Sequence, residues 1–348
     1  MAETLIIAGE KIEPGSRLTL GVPLPALYTD SPVAMPVHVI RGRKAGPRLF
    51  VSAAVHGDEL NGVEIIRRLR RRAILSRLRG TLILVPAVNV YGLLNNSRYL
   101  PDRRDLNRSF PGSERGSLAA RVASAFMAEI VSQCTHGIDL HTGAIHRSNL
   151  PQIRAHLDDA ETRRLAMAFG VPVMLNATLR DGSLRQAAAE LGIPMLLYEA
   201  GQALRFDEVC IRAGERGVLN VLRALEMLPR ASRRKRGVQS VAARSSRWLR
   251  APASGFLRIF KPLGESVGQG ELLGLVDDLF GDTACEIITP FSGIMIGRTE
   301  IPLVHEGEAL FHVARFADAE EAAQQIEDFN EAVAEGDMQG GFQEPGLL

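Results

Sequence analysis

The sequence predicts an α/β protein with a mostly parallel sheet, followed by a small all-β domain. From residue 35 to residue 201, short apolar runs alternate with segments whose apolar residues recur at helical spacing. Apolar strands separated by helices are typical of parallel sheets that are covered on both faces. Beyond residue 250, shorter apolar segments are separated by Gly, Pro and Asp, which is typical of a small all-β unit.

The predicted elements follow a β-α-β order along the first part of the chain. Strands are predicted in the segments MPVHVIRG, PRLFVSAAVHG, GTLILVPAVN, HGIDLHTG, VPVMLNA and IPMLLYEAG. Helices are predicted in the segments LNGVEIIRRLRRRAILSRL, SLAARVASAFMAEIVSQC, ETRRLAMAFG and GSLRQAAAELG. Because sites in such sheets form where strand ends meet loops, the polar residues that end these strands are the first candidates for function.

Composition changes divide the chain into a large N-terminal domain (1–240), a β-rich C-terminal domain (241–316) and an acidic, Gly-rich tail (317–348). The basic stretch 229–250 lacks interleaved aromatic residues, so a solvated linker is favoured over a nucleic-acid patch. The net charge of +1 gives no reason to expect nucleic acid or an anionic membrane as a partner.

The sequence favours a cytoplasmic protein. Its three cysteines, Cys134, Cys210 and Cys285, are far apart and fit no metal-ligand spacing. The first residues lack the basic and apolar regions of a signal peptide. No segment approaches the ~20 apolar residues of a membrane span.

Two predicted strands end in residues that bind metals. VSAAVHGDELNG carries His56 and Glu59, and GIDLHTG carries His141. If both strands are parallel members of one sheet, these side chains can meet at its C-terminal edge and leave a fourth zinc position open, as in catalytic sites. The alternative is a set of surface or structural histidines with a solvated glutamate.

Further polar residues lie where this site would need them. Glu199 ends the apolar strand MLLYEAGQ, so it is either a general base beside a metal or a strand-end residue that reaches solvent. In the loop 95–112, Arg108 is suited to a substrate carboxylate, whereas Arg103 and Arg104 are expected to be solvated.

The motifs HGDE, RDLNRSFPG, DLHTG and YEAG, in that order, resemble the succinylglutamate desuccinylase/aspartoacylase family of the zinc carboxypeptidase-like superfamily. The match covers roughly residues 30–316. The resemblance implies a mixed, mostly parallel sheet flanked by helices, one zinc ion per chain, and hydrolysis of the amide of a small N-acyl amino acid or related amine.

The resemblance also implies roles for individual residues. The zinc ligands would be His56, Glu59 and His141, and Glu199 would be the general base and acid. Arg98 would polarise the scissile carbonyl of the substrate. Asn107 and Arg108 would bind the substrate carboxylate. Asp139 could orient a ligand, and Asp58 has no assigned role. The stretch TGAIHRSNLPQIR offers further substrate contacts, among them Arg147 and Arg154.

The C-terminal segment resembles the β-rich domain of this family, with biotinyl/lipoyl-like hairpins. A true carrier domain needs a lysine at a hairpin tip, but the only lysine here is Lys261 and the expected tip has none. The domain is therefore expected to wall the active site or to mediate self-association, which would give a homo-oligomer.

Two other functions remain open at this point. A metallocarboxypeptidase acting on peptides or cell-wall fragments would use the same zinc site, and a deep, closed pocket would argue against it. A non-catalytic metal-dependent binding protein would lack a base such as Glu199. The acyl group and the amine of the substrate are not determined by the sequence.

Overall fold

The computed structural model describes residues 4–230 and 239–339. Its helices are α1 (Asn61–Arg70), α2 (Val90–Leu94), α3 (Leu118–Glu129), α4 (Ala160–Phe169), α5 (Leu184–Glu190), α6 (Glu208–Ala224) and α7 (Ala319–Gln339). Short 3-10 helices span Ala73–Arg77, Leu106–Arg108 and Val131–Gln133. No helix within these ranges is long and apolar enough to cross a membrane.

The first strands are β1 (Ile6–Ile7), β2 (Glu10–Lys11), β3 (Arg17–Leu24), β4 (Val33–Arg41), β5 (Arg48–Ala53), β6 (Thr81–Val85), β7 (His136–Gly143), β8 (Arg147–Ala155), β9 (Val173–Asn176) and β10 (Met195–Gln202). The later strands are β11 (Val241–Ala243), β12 (Ser245–Arg250), β13 (Gly255–Ile259), β14 (Ser266–Val267), β15 (Leu272–Asp277), β16 (Ala284–Ile288), β17 (Gly293–Thr299), β18 (Leu303–Val304) and β19 (Ala309–Arg315).

One large mixed sheet organises the protein, in the order β12-β19-β17-β8-β10-β7-β5-β6-β4-β3. Strands β10, β7, β5 and β6 are parallel to their neighbours within this group. Pairing becomes antiparallel on both sides of it, at β8 and at β4. The prediction of a mixed sheet is confirmed, but "mostly parallel" is too strong, because β3, β17, β19 and β12 also pair antiparallel. Outside the centre, β9 pairs parallel with β8 and β11 pairs parallel with β9.

Helices cover both faces of the central sheet, as predicted. Strand β5 shows why, since Leu49 and Val51 pack in one core with α1, α4 and α6, while Phe50 packs in the other with α3 and α5. All three side chains are fully buried. Alternate residues of one strand thus enter two cores, which makes the strand apolar throughout.

Some of the C-terminal strands, β12, β17 and β19 among them, extend the central sheet. Strand β17 pairs with β8, β19 with β17, and β12 with β19. A second sheet, β16-β15-β13-β18, packs on this extension through a core that includes Leu257, Leu273 and Phe311. The all-β character predicted from the turn residues is present, but the catalytic sheet runs on into it.

The segment after residue 317 begins with a packed helix. Helix α7 buries Ala322, Ile326 and Phe329, and Phe329 belongs to the same core as α6. The Gly-rich end of the predicted tail (340–348) and part of the basic stretch (231–238) lie outside the described residues.

Candidate metal centre and active site

The backbone between β5 and α1 turns sharply and stays buried, which brings the HGDE segment to the end of the sheet. Strand β5 ends at Ala53, and Ala54 adopts a positive φ of 48°. At Gly57 an added Cβ would lie 1.9 Å from the carbonyl carbon of Gly92, so only glycine fits this close approach of two backbones. His56 and Glu59 are consequently held beneath α2 and are almost fully buried.

His141 and Glu199 reach the same end of the sheet on adjacent strands. The two residues are register partners in the parallel pairing of β7 with β10. Side chains of partnered residues point to the same face of a sheet. His141 and Glu199 therefore face one common space.

Glu59 lies at the centre of a buried cluster. Its Oε1 atom lies 2.8 Å from Nδ1 of His56, and its Oε2 atom lies 2.8 Å from Nδ1 of His141. The backbone N–H of Thr142 donates to Oε2 at 3.1 Å. One ligand atom from each of His56, Glu59 and His141 lies within 4.8 Å of the others.

The outer nitrogens of both imidazoles are held by further carboxylates. Nε2 of His141 lies 2.6 Å from Oδ2 of Asp139, whose Oδ1 accepts a 2.7 Å hydrogen bond from the hydroxyl of Ser52. Nε2 of His56 lies 3.1 Å from Oδ1 of Asp105. These contacts fix both rings with Nδ1 toward the common centre, as carboxylates do for the histidine ligands of metal sites.

The carboxylates shift the pKa values of this cluster. Burial by itself lowers the pKa of His141, but Asp139 and Glu59 outweigh burial and raise it well above its usual value. Burial likewise opposes the raised pKa of His56, which is due to Glu59 and Asp105. Burial raises the pKa of Glu59, yet the two imidazoles bring it well below its usual value. The cluster is a buried network of opposite charges.

The residues present fit a zinc ion. Two imidazole nitrogens and one carboxylate oxygen converge, and zinc accepts this donor set. The carboxylate behind each imidazole supplies the orientation that such ligands need. Three protein donors are the number found in catalytic zinc sites, whereas structural sites have four.

Arg98 and Asp105 form a second layer beside the cluster. The guanidinium of Arg98 donates to Oε1 of Glu59 at 3.2 Å and to Oδ2 of Asp105 at 3.0 Å. Burial raises the pKa of Asp105, but His56 and Arg98 outweigh this effect and lower it strongly. Asp105 therefore stays ionised and links the arginine to the imidazole of His56. Sequence reasoning missed Asp105, although it stands two residues before Asn107 in the motif RDLNR.

A cavity of about 630 Å³ opens onto this cluster. Its lining includes His56, Glu59, His141, Asp139, Arg98, Asn107, Arg108, Arg154, Glu199 and Ser246. Glu199 is mostly buried, and its Oε2 lies 2.5 Å from Nε of Arg154, an ion-pair contact without hydrogen-bond alignment. The side-chain amide of Gln152 donates to the same oxygen at 3.4 Å. The structure thus brings nearly all predicted site residues together.

Asn107 and Arg108 occupy adjacent positions in the cavity wall. Oδ1 of Asn107 accepts a 3.0 Å hydrogen bond from the backbone N–H of Leu184, which directs the amide nitrogen away from that bond. The guanidinium of Arg108 donates to the backbone carbonyl of Asn107. Burial lowers the pKa of Arg108. An amide donor and a guanidinium therefore stand side by side.

Two residues considered from the sequence lie elsewhere. Arg147 is not part of the cavity lining; its Nε donates to the carbonyl of Ala309 at 3.3 Å, and its guanidinium lies over the ring of Trp248. Asp58 is buried, its Oδ1 lacks a hydrogen-bond partner within the described structure, and burial, reinforced by Glu59, raises its pKa.

Two further arginines line the cavity and were not predicted. Arg180 and Arg185 follow β9 in the segment TLRDGSLRQ, where Arg185 begins α5 beside Leu184. Burial, with the nearby charge of Arg154, lowers the pKa of Arg185. The clue in the sequence was the pair of arginines directly after a predicted strand, the same signal that drew attention to Arg108.

Comparison with known proteins gives a consistent picture. Residues 45–225 match a model of the succinylglutamate desuccinylase/aspartoacylase catalytic domain. The chain is 26% identical over 299 residues to the N-alpha-acetyl-L-2,4-diaminobutyric acid deacetylase of Halomonas elongata, covering 82% of this chain and 87% of that protein. The matched residues 45–225 include every residue of the buried cluster.

Solved structures share the fold over most of the chain. The crystal structure of a succinylglutamate desuccinylase/aspartoacylase from Rhodobacter sphaeroides is 27% identical, with a TM-score of 0.78, covering 87% of this chain and 95% of that one. The product-bound ectoine utilization protein EutE (DoeB) from Ruegeria pomeroyi is 25% identical, with a TM-score of 0.78, covering 86% and 95%.

Proposed function

Because this chain belongs to the succinylglutamate desuccinylase/aspartoacylase family, we propose that it is a zinc-dependent hydrolase that cleaves the amide bond of a small N-acyl amino acid or related N-acyl amine. The observation that carries the proposal is the arrangement of Glu199 and the buried cluster in one cavity. A His-Glu-His donor set with anchored imidazoles lies on one side, and a carboxylate lies on the neighbouring strand.

His56, Glu59 and His141 would hold one zinc ion. When bound, zinc supplies Lewis-acid activation of water and of the acyl carbonyl. Glu199 accepts the proton of the attacking water and returns it to the leaving nitrogen. Its contacts to Arg154 and Gln152 keep the carboxylate in place for both transfers.

Three residues bind and orient the substrate. Asn107 and Arg108 hold its carboxylate through the amide nitrogen and the guanidinium, so that the scissile carbonyl is presented in one orientation. The guanidinium of Arg98 stabilises the negative charge that develops on the carbonyl oxygen. Its pairing with Asp105 keeps this guanidinium at the cluster.

The size and walls of the cavity favour a small substrate over a peptide. A volume of about 630 Å³ lies within the roughly 300–1,000 Å³ of small-molecule sites. Ser246, on a C-terminal strand, closes part of the wall. The proposed role of the C-terminal strands, including any biotinyl/lipoyl-like hairpin, is to wall the site.

The charge of the lining also bears on the substrate. The relative from Halomonas elongata is named for a substrate with an amino group on its side chain. The cavity of the present chain is lined by Arg98, Arg108, Arg154, Arg180 and Arg185. Guanidinium groups attract carboxylates and repel an ammonium group, so we expect acidic or neutral N-acyl amino acids to be preferred here.

A hydrolysis screen with the zinc-loaded enzyme tests the proposal. N-acetyl and N-succinyl derivatives of acidic, neutral and cationic amino acids are incubated with the enzyme, and release of the free amine is measured. The expected result is release from at least one derivative, abolished by a chelator and restored by zinc. Release of C-terminal residues from peptides, with none from these derivatives, would instead identify a carboxypeptidase.

A non-catalytic metal-binding protein is the other function considered. It would have no need for a carboxylate beside the metal ligands, and Glu199 lines the same cavity as the three proposed ligands. Zinc binding with no hydrolysis of any derivative or peptide would favour it.

A further inference from the structure

A second cavity lies at the opposite end of the central sheet from the active site. It has a volume of about 680 Å³ and lies where β3 begins and β4 ends, against the 3-10 helix Ala73–Arg77. The metal cluster instead follows the end of β5, the strand that starts at Arg48. We call this cavity the basic groove, and define it by its charged lining residues Arg17, Arg41, Arg43, Lys44, Arg77 and Arg79.

The lining of the basic groove carries one sign of charge. Among the described residues that line it, six are arginine or lysine and none is aspartate or glutamate. The chain as a whole has a net charge of only +1. The basic groove therefore carries a local excess of positive charge.

Some arginines elsewhere on the surface are paired with carboxylates. Arg164 contacts Glu161 at 2.6 Å, and Arg72 contacts Glu215. In contrast, Arg17, Arg43, Lys44, Arg77 and Arg79 make no ion pair with any residue in the described ranges. Groups of like charge in a groove raise the local potential, because there is no counter-charge to cancel it.

A buried histidine lies on the strand beside the basic groove. His38 lies on β4, two residues before Ile40, which lines the basic groove. Its side chain is 7% exposed, and Nε2 has no hydrogen-bond partner in the part of the chain that the structure describes. Burial first, and then the charges of Arg70 and Arg17, lower the pKa of His38 to about 4.

We propose that the basic groove binds a small ligand with a linear chain of two or more phosphate groups, either free polyphosphate or the phosphates of a nucleotide. Guanidinium groups bind phosphate oxygens in pairs, and several separated cations require more than one anionic group. The volume is that of a small-ligand site. The apolar floor, which includes Ile40, Leu75 and Pro229, leaves a surface for the rest of the ligand.

Isothermal titration of the zinc-loaded protein tests this site, at an ionic strength of about 0.15 M. The probes are tripolyphosphate, ATP and orthophosphate. Tripolyphosphate is expected to bind at least about tenfold more tightly than orthophosphate, a difference of about 1.4 kcal/mol. ATP binding more tightly than tripolyphosphate would identify a nucleotide as the ligand, and equal affinities would identify the phosphate chain alone.

Matched variants locate the binding. Arg43→Ala/Arg77→Ala/Arg79→Ala removes three exposed cations of the groove, and Arg115→Ala/Arg121→Ala/Arg247→Ala removes three exposed cations elsewhere. The groove variant is expected to bind tripolyphosphate at least about tenfold more weakly than the control variant. If the triple variant fails to fold, the double variant Arg77→Gln/Arg79→Gln replaces it. This double variant is also expected to bind tripolyphosphate more weakly than the control variant.

Several results would overturn the proposal. Equal affinities of the groove and control variants would place binding elsewhere, for example at the zinc ion. Orthophosphate binding as tightly as tripolyphosphate, or binding only of an oligonucleotide or a phosphoinositide vesicle, would exclude the proposed ligand. The groove variants are expected to hydrolyse substrate at the rate of the wild type. A failure of the phosphate-binding proposal can therefore be distinguished from a failure of the proposed enzymatic function.

Discussion

His141 and His312 are both buried histidines on strands of the same sheet, but their surroundings are opposite. Both ring nitrogens of His141 lie within 2.8 Å of carboxylate oxygens, from Glu59 and Asp139. His312 instead stacks on Trp248, with ring centroids 4.6 Å apart and an angle of 8° between the planes. Its Nδ1 atom has no hydrogen-bond partner among the described residues.

The pKa values of the two histidines are shifted in opposite directions, as their surroundings would predict. Carboxylates raise that of His141, whereas burial, with a contribution from Arg154, lowers that of His312 to about 3. In the cluster around His141, carboxylates therefore orient the imidazole ring. In the C-terminal strands, the imidazole of His312 is neutral and packs as a flat ring on Trp248. A histidine on this sheet is a ligand candidate only where carboxylates stand behind it.

Glu199 lies between the two regions, because β10 is the strand between β7 and β8 in the sheet. The change Glu199→Gln is expected to lower kcat by about 10²–10⁴, since the amide cannot accept the proton of water. Zinc content, measured by metal analysis, should stay at one ion per chain. Glu190→Gln, on an exposed position of α5, serves as the control. Near wild-type turnover of Glu199→Gln would remove it from the mechanism.

Asp139→Asn makes the surroundings of His141 more like those of His312. The asparagine cannot hold the outer nitrogen as a carboxylate does, so zinc affinity is expected to fall by about 10–100-fold. Competition with a chromophoric chelator measures this change. Asp158→Asn, near the exposed side chain of Asn176, should leave zinc affinity unchanged. Equal zinc affinity of both variants would mean that Asp139 does not orient the ligand.

His312 should make folding stability sensitive to acid. Because its folded-state pKa is below the usual 6.5, the unfolded chain binds a proton that the folded chain does not, and stability falls as pH falls from about 6.5 toward about 3. Between pH 7 and pH 5 this amounts to about 2 kcal/mol.

Urea unfolding of the His312→Gln variant at both pH values checks that expectation. The variant should lose about 2 kcal/mol less than the wild type on acidification. His305→Gln, at an exposed position, should lose as much free energy of unfolding between pH 7 and pH 5 as the wild type does. An unchanged pH dependence in His312→Gln would show that the histidine is not kept neutral by its surroundings.

Gly297→Ala probes the border between the two regions and should have the smallest effect. An added Cβ would lie 2.6 Å from Oδ1 of Asn149 and 3.2 Å from Cβ of His312. Displacing the buried amide is expected to lower the free energy of unfolding by about 1 kcal/mol, with little change in kcat. Gly268→Ala has no such neighbour and serves as the control. A stability equal to the control would mean that the border is loosely packed.

Much of the candidate site could be anticipated from the sequence, because its residues end apolar strands. His141 and Glu199 end central strands, and parallel strands bring their C-terminal ends to one edge. The position of His56 was harder to predict, because it also depends on the close approach of the backbones at Gly57 and Gly92. The role of Asp105 depends on the path of a long loop, which local patterns do not determine.

The extension of the sheet could not be predicted for a related reason. Local patterns identify β8 and β17 as apolar segments, but their pairing depends on tertiary contacts between distant parts of the chain. The sequence likewise gave no sign of which surface arginines lack carboxylate neighbours. Both properties arise from packing and not from the periodicity of any one segment.

The pairing of β17 with β8 has a consequence for how the chain folds. Asn149 and its register partner Gly297 are separated by about 150 residues. Non-local strand pairing slows folding, because a long loop must close before the contact forms. During synthesis, the Arg147–Asn149 part of β8 therefore stays an unpaired sheet edge until β17 has left the ribosome, whereas Gln152–Ala155 can pair early with β9. An unpaired edge of this kind favours aggregation.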